Sequence, residues 1–274
     1  MDISTWLKNA TKQLKDIGIT SSRLDAELLL AETLRKPRTF LHAHLDEEID
    51  PRRGDIANAR LDLRLERVPL AYILGYKEFF GRKFHVSPAV LVPRPESEDL
   101  IELFLKLTES DITAKTVIDV GTGSGSLGIT AALERPQFRV ILSDISETAL
   151  KIAAKNASEL DAKVAIVRQS LLTGHIEPLD YILANLPYVD RNWQTSPELR
   201  HEPAEALYAE NGGLALIMTL IQQAARHLQP DGLLLLEADP EQQQKIITFA
   251  KNYGFTHERT SGYALALRFI RTER

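Results

Sequence analysis

Thr116-Val117-Ile118-Asp119-Val120-Gly121-Thr122-Gly123-Ser124-Gly125-Ser126-Leu127-Gly128 is the stretch on which the fold turns. Its first five residues, β-branched around one acid, read as a short strand. The glycines make a sharp turn, and residues 129–134 continue as a helix. Strand, glycine turn and helix open a nucleotide-binding βαβ unit, in which glycine lets the backbone bend tightly and come close to a ligand. About twenty residues on, Arg139-Val140-Ile141-Leu142-Ser143-Asp144 reads as a second strand ending in an acid, the spacing of a carboxylate that binds two ribose hydroxyls. The plainer alternative makes Asp144 the cap of the next helix, a task Ser146 performs equally well.

Outward from this unit the alternation continues. Helix 147–160, strands 163–168 and 180–184, helix 214–228, the turn Pro230-Asp231-Gly232, strand 233–237, helix 241–253 and a final strand 263–270 describe a Rossmann-like α/β domain with an open, mostly parallel sheet. Ligands of such sheets bind at the carboxyl ends of the strands, where 121–125, Asp144 and Asn185 fall. The turn is Gly-x-Gly-x-Gly preceded by Asp119, not the Gly-x-Gly-x-x-Gly that brings a pyrophosphate to a helix N-terminus. An acid there suits a ligand carrying an ammonium and a sulfonium, which points to S-adenosyl-L-methionine.

Asn185-Leu186-Pro187-Tyr188 follows the apolar run 181–184. The Asn carbonyl and the Leu186 carbonyl, the latter directed by Pro187, are two acceptors able to grip both N–H groups of a substrate –NH2. Tyr188 supplies a flat wall. Alone the tetrapeptide is also an ordinary turn; an activated methyl group nearby gives it a purpose.

Residues 1–74 read as helices: Ile3, Trp6, Leu7, Ala10, Leu14 and Ile17 recur at three and four before Gly18, and Leu24, Leu28, Ala31 and Leu34 form a second face before Pro37. Residues 1–70 hold 12 Lys+Arg and 12 Asp+Glu, so the net charge of -5 belongs to the remainder. Such a neutral bundle serves as a docking module or a stabilising cap. Residues 75–93 alternate aromatic and polar positions around Gly81, as a hairpin linker does. Residues 94–274 form the α/β domain.

The overall acidic balance lacks the basic field of a protein that holds nucleic acid by its phosphates. The absence of cysteine excludes disulfides, thiolate metal sites and a Cys nucleophile, and His shows no paired metal spacing, so no metal is expected. No apolar run reaches membrane-spanning length, and the reading is a soluble, cytoplasmic, monomeric protein.

Together these stretches resemble the PrmC (HemK) family of peptide chain release factor N5-glutamine methyltransferases. The resemblance runs over nearly the whole chain and rests on the helical N-terminal region, Pro69-Leu70-Ala71-Tyr72-Ile73-Leu74-Gly75, Leu91-Val92-Pro93-Arg94-Pro95-Glu96, the 119–125 turn, Asn185-Leu186-Pro187-Tyr188 and Glu202-Pro203. It implies that S-adenosyl-L-methionine lies over Asp119, Gly121, Thr122, Gly123, Ser124 and Gly125, with its ribose on Asp144 and further contacts from Leu172 and Asn185. It also implies that the glutamine of a Gly-Gly-Gln loop in a class-I release factor enters beside Asn185, Leu186, Pro187 and Tyr188, with Arg94 and Glu96 on the substrate side.

Leu186 stands where the family carries Pro, and Ser170-Leu171-Leu172 where it has Ser-Asp, which implies a more apolar adenine site. Ser261-Gly262-Tyr263-Ala264-Leu265 lacks the family's acidic and arginine pattern. The alternatives are a ribosomal-protein glutamine methyltransferase, an N6-adenine methyltransferase of nucleic acid, and a catalytically idle partner-binding module.

Overall fold

The computed structural model describes residues 1–270; residues 271–274, the end of the expected α/β domain, lie outside them. The chain divides into two compact units, one of residues 1–76 with 195–201 and the other of residues 77–194 with 202–274.

The smaller unit is helical: α1 (Ile3–Asp16), α2 (Ser22–Leu34), α3 (Arg38–Ala43), α4 (Pro51–Leu65) and α5 (Leu70–Leu74). Asp2 caps α1 by accepting the Thr5 N–H at 2.7 Å. The buried face of α1, Ile3, Trp6, Leu7, Ala10 and Leu14, packs with Leu29 and Leu30 of α2 and with Ala57 and Leu61 of α4. A buried ion pair joins Arg64 to Asp25 at 2.8 Å. Arg64 and Arg67 both hold Glu198, at 3.2 and 3.0 Å, so the late segment 195–201 is built into this unit. The short helices α3 and α5 escape a periodicity reading because six and five residues span too few turns to show a stripe.

The larger unit begins inside the hairpin of β1 (Tyr76–Phe79) and β2 (Arg82–His85). Phe79 and Phe84 are fully buried against Leu100, Phe104 and Leu127, so the hairpin expected as a linker is core material of this unit. Then follow α6 (Glu96–Leu107), β3 (Thr116–Val120), α7 (Ser126–Glu134), β4 (Arg139–Asp144), α8 (Glu147–Glu159), β5 (Val164–Arg168), β6 (Leu179–Ala184), α9 (Ala215–His227), β7 (Leu228–Glu237), α10 (Pro240–Lys251), β8 (Phe255–Ser261) and β9 (Ala264–Phe269).

The sheet order is β5-β4-β3-β6-β7-β9-β8, parallel from β5 to β7 and antiparallel over β9 and β8. Two apolar layers cover its faces, one around Ile118, Ile182 and Leu234 and the other around Val117, Leu183 and Leu235. That double burial is why the central strands read as unbroken apolar runs. Edge strand β8 was not expected from sequence: Phe255-Thr256-His257-Glu258-Arg259-Thr260-Ser261 is mostly polar because only Phe255 is buried. Among the described residues no helix is long and apolar enough to cross a membrane, and no cluster of His, Asp or Glu is placed to hold a metal.

Candidate active site

The strand register builds the site. Val120 of β3 lies level with Ser143 of β4 and Ala184 of β6, and Ala184 lies level with Leu236 of β7. The next residue on each strand therefore stands on one row at the carboxyl edge: Gly121, Asp144, Asn185 and Glu237. A cavity of about 330 Å³ opens there. Its lining includes Gly121, Thr122, Gly123 and Ser124 from the turn, Asp144 and Ile145 after β4, Ser170 and Leu171 after β5, and Asn185, Leu186 and Pro187 after β6. Ala89, Val90, Leu91, Pro93, Ser97, Pro203, Glu205 and Leu216 close other sides.

Two glycines show why the turn has its composition. Gly121 has φ +72°, and a Cβ there would lie 2.9 Å from Leu186 Cδ2, so the turn and the tetrapeptide pack against each other without room for a side chain. Gly128, in α7, would place a Cβ 2.3 Å from Leu142 Cδ2 and 2.8 Å from Asp119 Cβ; its bare backbone lets the helix lie close on the sheet.

Asp119 is 1% exposed and does not line the cavity. Its Oδ2 accepts the Thr122 hydroxyl at 2.5 Å and the Gly128 N–H at 2.9 Å, so the acid organises the turn from below. Burial pushes this carboxyl up to about 6, with the nearby charge of Asp144 acting in the same direction, against the lowering effect of those two bonds. Asp144 is differently placed. Ser146 caps α8 through Ala149 N–H at 3.2 Å, which leaves Asp144 at the cavity with its carboxylate fixed by Gly123 N–H and Ser146 N–H, both at 2.9 Å.

Asn185 is oriented from behind. Its Nδ2 donates to Ser97 Oγ at 3.0 Å, and Ser97 Oγ donates to Glu237 Oε2. The Glu237 carboxyl also accepts the Tyr188 hydroxyl at 3.0 Å on Oε1. With the amide NH2 engaged inward, its Oδ1 is the group left for the cavity. No described residue donates to that oxygen or to the Leu186 carbonyl. Two free acceptors thus stand side by side in sequence at the cavity, as the tetrapeptide suggests. Tyr188 does not line the cavity. Its ring packs on the apolar layer beneath, and burial, reinforced by Glu237, holds its phenol far above the ordinary range, so it remains a donor.

Other expected site residues fall elsewhere. Leu172 is 1% exposed in the core, its N–H bonded to Gln223 Oε1 at 2.8 Å. Leu171, with φ +49°, reverses the chain and faces the cavity instead. Gly125 lies off the cavity, pressed against Ile129 and Ala153 at the start of α7. Glu96 is exposed at the start of α6 and does not line it either. The Arg94 guanidinium binds Glu202 at 2.6 Å, and the same buried carboxylate accepts Val92 N–H at 3.0 Å. Glu202-Pro203 therefore clasps the Val92–Arg94 segment, and Pro203 takes its place in the cavity wall.

Sequence reasoning missed Glu237, Ser97 and Asn156. Glu237 carries the signal that singled out Asp144: a polar residue ending an apolar strand run. Asn156 announces nothing in sequence, yet it is 1% exposed and ties Ser124 O (2.8 Å) to both backbone groups of His85.

The donor set decides which ligand fits. Among the described residues the cavity wall contains the acids Asp144 and Glu205 and no Lys or Arg, so a diphosphate meets no cation among them. A cationic nucleoside with a ribose diol finds a fixed carboxylate, an open glycine turn and an apolar floor. A Cβ at Gly123, φ +54°, would touch nothing within 4 Å, so the backbone there is bare to the ligand space.

Sheet order, glycine turn and acidic, cation-free cavity define a Rossmann-like methyltransferase, and residues 99–264 match the family described as the methyltransferase small domain. Residues 5–75 match the PrmC N-terminal domain. The chain belongs to the release factor glutamine methyltransferase family. It is 37% identical over 257 residues to the release factor glutamine methyltransferase of Coxiella burnetii, covering 93% of this chain and 92% of that one. It is 35% identical over 277 residues to the protein of that name from Deinococcus radiodurans, covering 100% and 99%. Among solved structures, the hMettl16 catalytic domain in complex with an RNA hairpin superposes with a TM-score of 0.56 at 15% identity, over 78% of this chain and 82% of that one; that likeness concerns the fold.

Proposed function

We infer that this chain transfers a methyl group from S-adenosyl-L-methionine to the side-chain amide nitrogen of the glutamine in the Gly-Gly-Gln motif of a class-I peptide chain release factor. Membership of the family supports the activity. The observation that carries the chemistry is the pair of unpartnered acceptors, Asn185 Oδ1 and Leu186 O, beside a cavity suited to a cationic nucleoside.

S-adenosyl-L-methionine, when bound, supplies an electrophilic methyl group. Asp144 is the residue proposed to take the ribose hydroxyls, because its carboxylate is already held by two backbone N–H groups and needs no reorganisation on binding. Gly121, Thr122, Gly123 and Ser124 offer a close backbone approach. Ile145 and Leu171 offer apolar surface to a base, in keeping with the loss of the acid expected after β5.

An amide nitrogen is a weak nucleophile because its lone pair is delocalised into the carbonyl. Asn185 Oδ1 and the Leu186 carbonyl are proposed to accept the two N–H bonds of the substrate amide and hold them as the nitrogen becomes tetrahedral, a fit better for the transition state than for the planar ground state. No strong base is required, since the proton leaves a nitrogen that has become cationic. Pro187 directs the Leu186 carbonyl, and Tyr188 steadies the tetrapeptide through Glu237. The helical unit is proposed as the docking module for the release factor, and the enzyme is proposed to act as a cytoplasmic monomer.

The test is methyl transfer from radiolabelled S-adenosyl-L-methionine to a purified class-I release factor, beside a copy whose Gly-Gly-Gln glutamine is replaced by alanine. Label on the first and none on the second is expected. Label on neither, with cofactor binding shown separately, overturns the substrate assignment.

A further inference from the structure

We propose that Glu237, with Ser97, is a positioning residue for methyl transfer: it fixes the direction of the Asn185 amide so that its carbonyl oxygen, and not its NH2, faces the substrate. This rests on the role of Asn185 given above and extends it to residues that never meet the substrate nitrogen.

An Asn side chain is nearly symmetric in shape, and turning it over exchanges an acceptor for a donor at the same place. With NH2 toward the cavity, Asn185 would oppose a substrate N–H with another N–H, and binding would fail at the reacting atom. Something must therefore pay the difference between the two orientations. Glu237 is the acceptor at the end of the network, taking the Ser97 hydroxyl on Oε2 and the Tyr188 hydroxyl on Oε1. Ser97 must point its hydroxyl hydrogen at Glu237, which leaves only the Ser97 Oγ lone pairs for Asn185, so Asn185 must present NH2. Tyr188 hydroxyl occupies the other carboxylate oxygen. Every hydrogen in the chain is thereby directed.

The location makes this a built device rather than an incidental contact. Glu237 is 2% exposed and Ser97 2%, so the bond between them is buried. Asn185 and Glu237 each follow a residue of the paired row Ala184 and Leu236, which fixes their separation by the sheet itself. Burying a carboxylate at a strand end is unfavourable for stability, and burial accordingly raises the Glu237 carboxyl above its ordinary range.

The experiment uses the full-length enzyme with Glu237→Gln, and the isosteric pair Ser97→Thr and Ser97→Val, which differ only in the hydroxyl. Glu237→Gln places a donor where the network needs an acceptor. It is expected to lower kcat at least 10-fold with S-adenosyl-L-methionine affinity within about 3-fold of wild type, while the melting temperature is unchanged or raised. A merely structural carboxylate gives the reverse, a lowered melting temperature with kcat retained. Ser97→Thr is expected to keep most of the kcat that Ser97→Val loses.

A readout independent of the methyl acceptor is hydrogen exchange of the Asn185 side-chain amide by NMR, assigned by its loss in Asn185→Asp. Its protons are expected to be protected in wild type and to exchange at least 10-fold faster in Glu237→Gln and Ser97→Val. Equal protection in all variants overturns the proposal, as does full kcat in both. If the release factor is not the substrate, the wild-type enzyme leaves it unlabelled, and the exchange comparison still decides the role of Glu237.

Discussion

Replacing Arg94 by alanine separates two roles for that residue. In the structure its guanidinium meets Glu202 at 2.6 Å, and the Glu202 side chain is 1% exposed while that of Arg94 is 30% exposed. Glu202 keeps one further bond, from Val92 N–H at 3.0 Å. Removing one partner of a buried pair costs about 3–5 kcal/mol when the remaining charge stays dry. Here the vacated space opens to solvent on the Arg94 side, so water reaches the carboxylate and the expected loss is lower, about 2–3 kcal/mol. For a unit of this size that lowers the melting temperature by about 5–10 °C.

The double variant Arg94→Ala with Glu202→Gln removes the stranded charge and keeps an acceptor for Val92 N–H, and it is expected to recover most of the loss. Melting curves of both variants, read beside kcat and KM for the protein substrate, make the comparison. A melting temperature unchanged in Arg94→Ala, with KM raised and no rescue by Glu202→Gln, would refute the clasp and return Arg94 to direct substrate contact.

Asn185→Ala is expected to lower kcat about 100-fold or more, the scale on which a single aligned hydrogen-bonding group acts in a transition state, while isothermal titration finds cofactor affinity nearly unchanged; equal kcat refutes the acceptor role. Gly128→Ala forces a Cβ to within 2.3 Å of Leu142 Cδ2 and is expected to destabilise by about 1–3 kcal/mol in urea unfolding; a neutral result would show that α7 can lift from the sheet. The Asp119 carboxyl is raised to about 6, so its neutral form is the one the fold favours. Its contribution is complete below its ordinary value near 3.8 and is lost as pH rises through about 6, a change of about 3 kcal/mol. Asp119→Asn should therefore gain about that much relative to wild type between pH 4 and 7.5, measured without cofactor; a difference independent of pH would refute the assignment.

How far the sequence reached differs from residue to residue. The 116–128 stretch showed a strand, a turn and a helix because glycine at positive φ and a β-branched run are local requirements, decided within a few residues. Asn185 and Asp144 were found because each ends an apolar strand run, and the carboxyl ends of parallel strands share one edge. Leu171 and Leu172 show where such reading stops. They are chemically alike, and only the left-handed backbone at Leu171 sends one to the cavity and the other into the core. β8 escaped because an edge strand with one buried residue has no apolar period to display.

By itself, then, the sequence determined the alternation of strands and helices, the helical N-terminal unit, the glycine turn and the tetrapeptide, all of which are written in local propensity and spacing. What tertiary structure alone decided was which polar atoms remain free. Asp119 and Arg94 look like ligand contacts in one dimension, and in the fold the carboxyl of one is held by Gly128 and Thr122 and the guanidinium of the other by Glu202. Glu237 looks like one more acid, and the sheet register sets it behind Asn185. A side chain's chemistry is fixed by its type, but its availability depends on partners that lie up to 140 residues away, as Ser97 does from Glu237, and hydrogen-bond competition among such distant groups has no signature in local sequence.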